Sequence, residues 1–160
     1  MTQSTELAVD LQVACEDESD LPSETQVHQW ALQALETAGF KEHSAEVTIR
    51  IVDEMEIVQL NSEFRHKNKP TNVLSFPFEQ PIGMTLPLLG DIVVCKQVMQ
   101  NESVEQDKAL FDHWAHLIVH GTLHLLGFDH IDEAEAEEME ALEVQILNNL
   151  GIDDPYRDHQ

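Results

Sequence analysis

Three features of the sequence predict an α/β (α+β) fold, with a small mixed four-stranded sheet packed against about five helices. Segments of two-residue apolar alternation are interspersed with segments of helical periodicity, in the order β-α-β-α-β-β-α-α-α. The last two helices have no strand between them, so the pattern is not a simple doubly wound sheet. The chain of 160 residues, 42% of them hydrophobic, holds one domain's worth of core and has no internal repeat or long linker. A single domain over residues 1–160 is therefore expected.

Each element has its own warrant. In residues 6–14, Leu7, Val9, Leu11 and Val13 alternate, the pattern of a half-buried strand. The acidic stretch CEDESDLP follows as a loop over 15–22. Ser23, with Gln26 three residues on, forms a capping box. Val27, Trp30, Ala31, Ala34, Leu35 and Ala38 make the apolar stripe of the helix that follows, and Gly39 ends it. Val47, Ile49 and Ile51 alternate in a second strand. Asp53 and Glu56 read as another capping box, opening a helix with Ile57, Leu60 and Phe64 on its core face. Pro70 excludes a helix across the basic connection from Arg65 to Asn72. A short buried strand is expected at 73–76 (VLSF), a loop at about 77–88 and a strand at 89–95 within LLGDIVVC. A short helix over about 96–101 precedes a long one from Glu105 to Leu126, stopped by Gly127. After FDHID, an acidic amphipathic helix covers about 133–149, with Met139, Leu142 and Ile146 toward the core.

Eight basic residues against 31 acidic ones give a net charge of −23. Broad electrostatic binding to nucleic acid or to an anionic membrane is excluded by that balance, and any polyanion must be met by a local basic patch. The opening residues MTQSTELAVD have neither the basic nor the apolar segment of a secretory signal, and no run of 18 apolar residues occurs. Cys15 and Cys95 stand in apolar strand-like stretches without a CxxC pattern, as buried free thiols rather than a disulfide. A cytoplasmic location with no membrane partner is expected.

The sharpest chemical signal is HGTLHLLGFDH, residues 120–130. His120 and His124 are four residues apart on a helix, with Cβ atoms roughly 5–6 Å apart on one face. Two imidazoles so placed can reach one zinc ion. Gly127 lets the chain turn back and bring up His130 as a third ligand, leaving a fourth position open, as in catalytic rather than structural zinc sites. His116, one turn earlier, is open between a ligand, an outer or RNA-facing role and packing. His113 is expected to face solvent. Asp129 is open between orienting an imidazole, acting as a base and shaping the turn. The spacing matches that of metzincin proteases, but their general-base Glu is replaced by Gly121, which speaks against peptide hydrolysis.

Arg65, Lys67 and Lys69 gather three of the eight basic residues into five positions, with His66 among them. They suit either a phosphate-binding loop, with Arg65 best placed to stabilise phosphoryl charge, or a solvated surface. The seven carboxylates of 132–143 read as the solvated face of the last helix.

EFRHKNKPTNVLSFPFE, LLGDIVVC and HGTLHLLGFDH, in this order, resemble the YbeY family of bacterial endoribonucleases, over about Val47 to Pro155. The resemblance implies one Zn2+ ion, held by His120, His124 and His130, with Arg65 as a functional arginine close to it. Ser75 and Asp91, in the other shared blocks, become scaffold or site-wall residues. Asn72 stands where many members carry Asp, so no acid–base role is assigned there. The implied activity is single-strand-specific cleavage of ribosomal RNA, in maturation of the small-subunit 16S rRNA 3′ end and in ribosome quality control. The implied partners are single-stranded RNA, small-subunit ribosomal proteins and the GTPase Era. The general base stays open between Asp129, His116 and a metal-bound hydroxide. Two rival readings are a zinc hydrolase of peptides or amides, and a non-catalytic assembly factor with structural zinc.

Overall fold

The computed structural model describes residues 5–84, 86–129 and 132–156. Strands β1 (Glu6–Val13), β2 (Ser44–Val52), β3 (Val73–Pro77) and β4 (Leu88–Cys95) form one sheet in the order β1-β2-β4-β3. The β1/β2 and β2/β4 pairs are parallel, and β3/β4 is antiparallel. The helices are α1 (Glu24–Thr37), α2 (Glu54–Arg65), α3 (Lys96–Glu105), α4 (Leu110–Leu125) and α5 (Glu133–Asn149). Fold class, element order and helix number are those the sequence predicts.

Alternation along the strands decides which helix covers which face. Ala45, Val47, Ile49 and Ile51 of β2, with Ile92 and Val94 of β4, point into the main core with the apolar faces of α1, α4 and α5. Val52, Leu74, Val93 and Cys95 point the other way, onto Ile57 of α2. Helix α4 is apolar nearly all round because it lies against β3 and β4 and is also packed by α1, α3 and α5. Cys15 and Cys95 are buried free thiols, as expected. Among the described residues, no helix is long and apolar enough to cross a membrane.

Several local expectations need correction. Ser23 and Gln26 do form the capping box. The second one does not form: the Asp53 carboxylate accepts from Glu16 N and Gln97 Nε2, and Glu56 is bound by Arg50. Long-range partners thus take both side chains away from the helix start. Helix α3 extends to Glu105 and α4 begins only at Leu110, because Asp107 adopts a left-handed conformation (φ 52°) between them. Val13 is exposed at the end of β1. Phe64 is 57% exposed, rather than on the core face. His113 is buried, not solvent-facing: its Nε2 lies 2.9 Å from Glu102 Oε1.

Candidate active site

The site is built around β3, which lies at one edge of the sheet. Ser75 pairs with Ile92 on the face that α4 covers. Gly121 packs there: a Cβ added to it would stand 2.9 Å from Ile92 Cγ2 and 3.3 Å from Ser75 Oγ. The Ser75 hydroxyl donates to the Gly121 carbonyl, at 3.3 Å. Helix and edge strand are therefore in close contact at the turn that carries His120. The same contact explains why glycine occupies the position of a peptidase's glutamate. That position faces the sheet, and any side chain there would press on Ile92 and Ser75.

Helix α4 ends in a Schellman motif. Gly127 (φ 101°) donates to His124 O and Phe128 N to Leu123 O, both at 3.1 Å. After the reversal, Phe128 and Asp129 line the same cleft as His124. Across the cleft, α2 ends at Arg65, where His66 takes a left-handed conformation (φ 57°). The following basic turn is fastened to the helix by buried Asn61, whose Nδ2 donates to Lys69 O at 2.9 Å, and by Lys67 N donating to Asn61 O.

Between these ends lies a cleft of about 760 Å³, lined by Phe64, Arg65, Thr71 to Pro77, His120, His124, Gly127, Phe128 and Asp129. Four of the five site residues expected from sequence thus line one cavity. The fifth, His130, lies outside the described residues. Ser75 and Asn72 also line the cleft. Asp91 does not: it is exposed and lines a separate hollow on the sheet's other face. Lys67 and Lys69 are exposed and are not among the lining residues. Asn72 has a structural task, donating to Glu102 and accepting from Val73 N.

The imidazoles of His120 and His124 approach Nε2 to Nε2 at 3.0 Å. Two nitrogens bound to one tetrahedral ion at about 2.0–2.1 Å sit roughly 3.3 Å apart. The pair therefore suits a shared zinc ion after a small movement. The other side of His120 meets a buried carboxylate: Nδ1 is 2.5 Å from Glu143 Oε1. Glu143 projects from α5, and the Tyr156 hydroxyl donates to its Oε2. His116 Nε2 lies 3.7 Å from Glu143 and 3.3 Å from Tyr156 Oη. His116, His120 and Glu143 hold ligand atoms within 4.8 Å of one another, a possible metal-binding group whose ion is not established.

Electrostatics follow from this burial. Desolvation works to raise the Glu143 carboxyl, yet its contacts with His116 and His120 outweigh it and hold the group at about 2. Burial pushes His116 below its ordinary value despite Glu143. Burial, then the Glu143 charge, push the Tyr156 phenol far up, so it remains a donor. Neither Glu143 nor Tyr156 was singled out by sequence reasoning. Glu143 in particular was expected on a solvated face and is fully buried.

Comparison with protein families matches residues 12–151 to the family described as Endoribonuclease YbeY. Among solved structures, the solution structure of TM1509 from Thermotoga maritima is similar, with a TM-score of 0.55. It is 21% identical, and the match covers 92% of this chain and 99% of that one. At that identity the likeness speaks to the fold.

Proposed function

The chain belongs to the YbeY endoribonuclease family, and we propose that it is a single-domain, zinc-dependent, single-strand-specific endoribonuclease. In this reading it matures the 3′ end of 16S ribosomal RNA and serves ribosome quality control in the cytoplasm. The family assignment supports an RNA-cleaving hydrolase of ribosomal RNA processing. The observation that carries the finer reading is the single cleft shared by Arg65, His120, His124 and Asp129.

His120, His124 and His130 are the proposed ligands of one Zn2+ ion. Bound there, zinc would supply Lewis-acid polarisation and an acidified water. The chain's own residues do the rest. Arg65 offers a fixed cationic fork to the non-bridging oxygens of the scissile phosphate, where charge grows in the transition state. Asp129, which lines the cleft with His124 just after the helix reversal, is the proposed proton acceptor. Ser75 is a wall residue rather than a nucleophile, because its hydroxyl proton is committed to the Gly121 carbonyl. Phe64 and Phe76 meet edge to face, with ring centroids 5.1 Å apart, and give the wall an apolar side.

With a net charge of −23, Arg65 is the one arginine among the cleft's described lining residues to meet a polyanion. The reading therefore includes delivery of the RNA by small-subunit ribosomal proteins and the GTPase Era. Peptide hydrolysis is disfavoured by the packing of Gly121 against Ile92. The test is cleavage of an end-labelled single-stranded RNA by wild type, Arg65→Ala and His124→Ala, purified identically. Cutting by wild type alone is expected. Equal cutting by all three would mean contamination and overturn the assignment. If none cuts free RNA, the same assay on intact small subunits decides between a partner-dependent nuclease and a non-catalytic assembly factor.

A further inference from the structure

The most buried carboxylate in the described structure stands behind the proposed metal ligands. Glu143 has 1% of its side chain exposed and is reached from α4 by His120 and His116, and from the C-terminal segment by Tyr156. A buried carboxylate costs several kcal/mol unless its oxygens are satisfied, so an uncompensated one would not persist without a task. Both oxygens are satisfied here. Oε1 faces His120 Nδ1 and Oε2 receives the Tyr156 hydroxyl.

We infer that Glu143 and Tyr156 are positioning residues, which hold His120 as the Nδ1–H tautomer so that its Nε2 lone pair points into the cleft beside His124. This inference rests on the reading of the cleft as a zinc site. Glu143 could instead be a metal ligand with His116 and His120, and geometry separates the two roles. Ligand atoms around one tetrahedral ion sit roughly 3.3 Å apart. His120 Nδ1 and Glu143 Oε1 are 2.5 Å apart, well inside the spacing of two ligands on one ion and on the side of a charge-assisted N–H···O hydrogen bond. An ion held on the Nδ1 side would also lie behind α4, away from the cleft that Arg65 lines. On the Nε2 side, by contrast, the 3.0 Å approach of His124 is close to the ligand spacing, and both residues line the cleft that Arg65 lines. The Tyr156 hydroxyl fixes the second oxygen and so the plane of the carboxylate. A carboxylate that orients a ligating imidazole in this way also makes it a stronger donor.

Zn2+ affinity, measured by competition with a chromophoric chelator, is the first readout, with circular dichroism and thermal melting as folding controls. Glu143→Gln should bind Zn2+ about 10–100-fold more weakly than wild type. Tyr156→Phe should lose about 2–10-fold, the worth of one hydrogen bond. The second readout is the imidazole nitrogen spectrum of the zinc-loaded wild type, which needs no variant. It should show His120 protonated at Nδ1 and metal-bound at Nε2. Metal bound at Nδ1 would overturn the inference and make Glu143 a ligand. A folded Glu143→Gln protein with wild-type affinity would overturn it while leaving the zinc site intact. If wild type binds no Zn2+, the zinc reading fails and this inference fails with it. If Glu143→Gln does not fold, Tyr156→Phe and the nitrogen spectrum decide.

Discussion

Replacing Gly121 by alanine tests whether the close contact of α4 with the edge strand governs this site. The new methyl would stand 2.9 Å from Ile92 Cγ2, 3.2 Å from Ile92 Cδ1 and 3.3 Å from Ser75 Oγ. Ile92 is β-branched and fully buried, so its Cγ2 cannot swing aside. Overpacking of this kind costs about 1–3 kcal/mol. Against it, alanine is favoured over glycine in a helix by about 0.8–1.0 kcal/mol. The net is a loss of roughly 0–2 kcal/mol, or about 2–4 °C in Tm per kcal/mol for a domain of this size. Calorimetry of Gly121→Ala, Ile92→Val, Ile92→Ala and the two double variants checks the cause. Ile92→Val removes only Cδ1 and should relieve part of the cost. Ile92→Ala removes both contacts and should turn the coupling favourable by more than about 0.5 kcal/mol. RNA cleavage should fall in Gly121→Ala more than stability does, because the displaced turn carries His120. Gly121→Glu, the peptidase residue, would bury an unpaired carboxylate against the sheet and should unfold the protein without conferring peptidase activity. A rise in Tm for Gly121→Ala, or additive behaviour with Ile92→Ala, would refute the packing argument.

Three further outcomes are expected. Asn61→Ala removes the bond to Lys69 O and should cost about 1–2 kcal/mol, with faster amide exchange across residues 66–72; unchanged exchange there would remove Asn61 as the anchor of the Arg65 turn. For Glu102, burial works to raise the carboxyl, but the bonds from His113 and Asn72 outweigh it and hold the group below its ordinary value. Its contribution to stability is therefore complete above pH about 4.5 and disappears as pH falls through the folded value, so Glu102→Gln should flatten the acid limb of the denaturation profile below pH about 5; parallel acid limbs would contradict this. Phe64→Ala trims an exposed ring at the cleft rim and should weaken single-stranded RNA binding by about 1–3 kcal/mol if bases stack there, read by fluorescence anisotropy; unchanged affinity would place the bases elsewhere.

The fold was legible where periodicity and stop signals agree. The alternation of Val47, Ile49 and Ile51 and the stripe from Val27 to Leu35 correspond to buried faces, because each repeat is long enough to fix both element and side. Gly127 marked the end of α4 for a physical reason, since the reversal needs a positive φ. Two other helix ends were harder to read because they use the same geometry without glycine. Asp107 closes α3, with Lys108 N donating to Ser103 O, and His66 closes α2, with Lys67 N donating to Asn61 O. Aspartate tolerates the left-handed region well enough to serve there. Nothing in EQDKA signals a break, so α3 and α4 read as a short helix and an over-long one. The false capping box at Asp53 has a related origin: the local pattern was present, but Arg50, Glu16 and Gln97 compete for the same carboxylates.

In the cleft, sequence spacing picked out His120 and His124 and missed the residues packed behind them. His120 and His124 are visible because two imidazoles four apart already imply a shared ligand. Glu143 was hidden by its surroundings, as the last of seven carboxylates in twelve residues. A finer signal was nevertheless present. The buried positions of α5 are Met139, Glu143, Ile146 and Leu147, spaced i, i+4, i+7 and i+8. Glu143 therefore occupies the apolar stripe itself, whereas the other acids of that run, from Asp132 to Glu140, lie on the outer turns. A lone carboxylate at a stripe position is the informative exception, because only a cationic or hydrogen-bonding partner across the interface can keep it there. Helix α4 supplies that partner in His120 and, one turn earlier, His116. The same logic accounts for His113, which falls on a helix covered on all sides and is paired with Glu102. His113, His116 and His120 of α4 thus each face an acid on a neighbouring helix, and that pairing appears only when the stripes of two helices are read against each other.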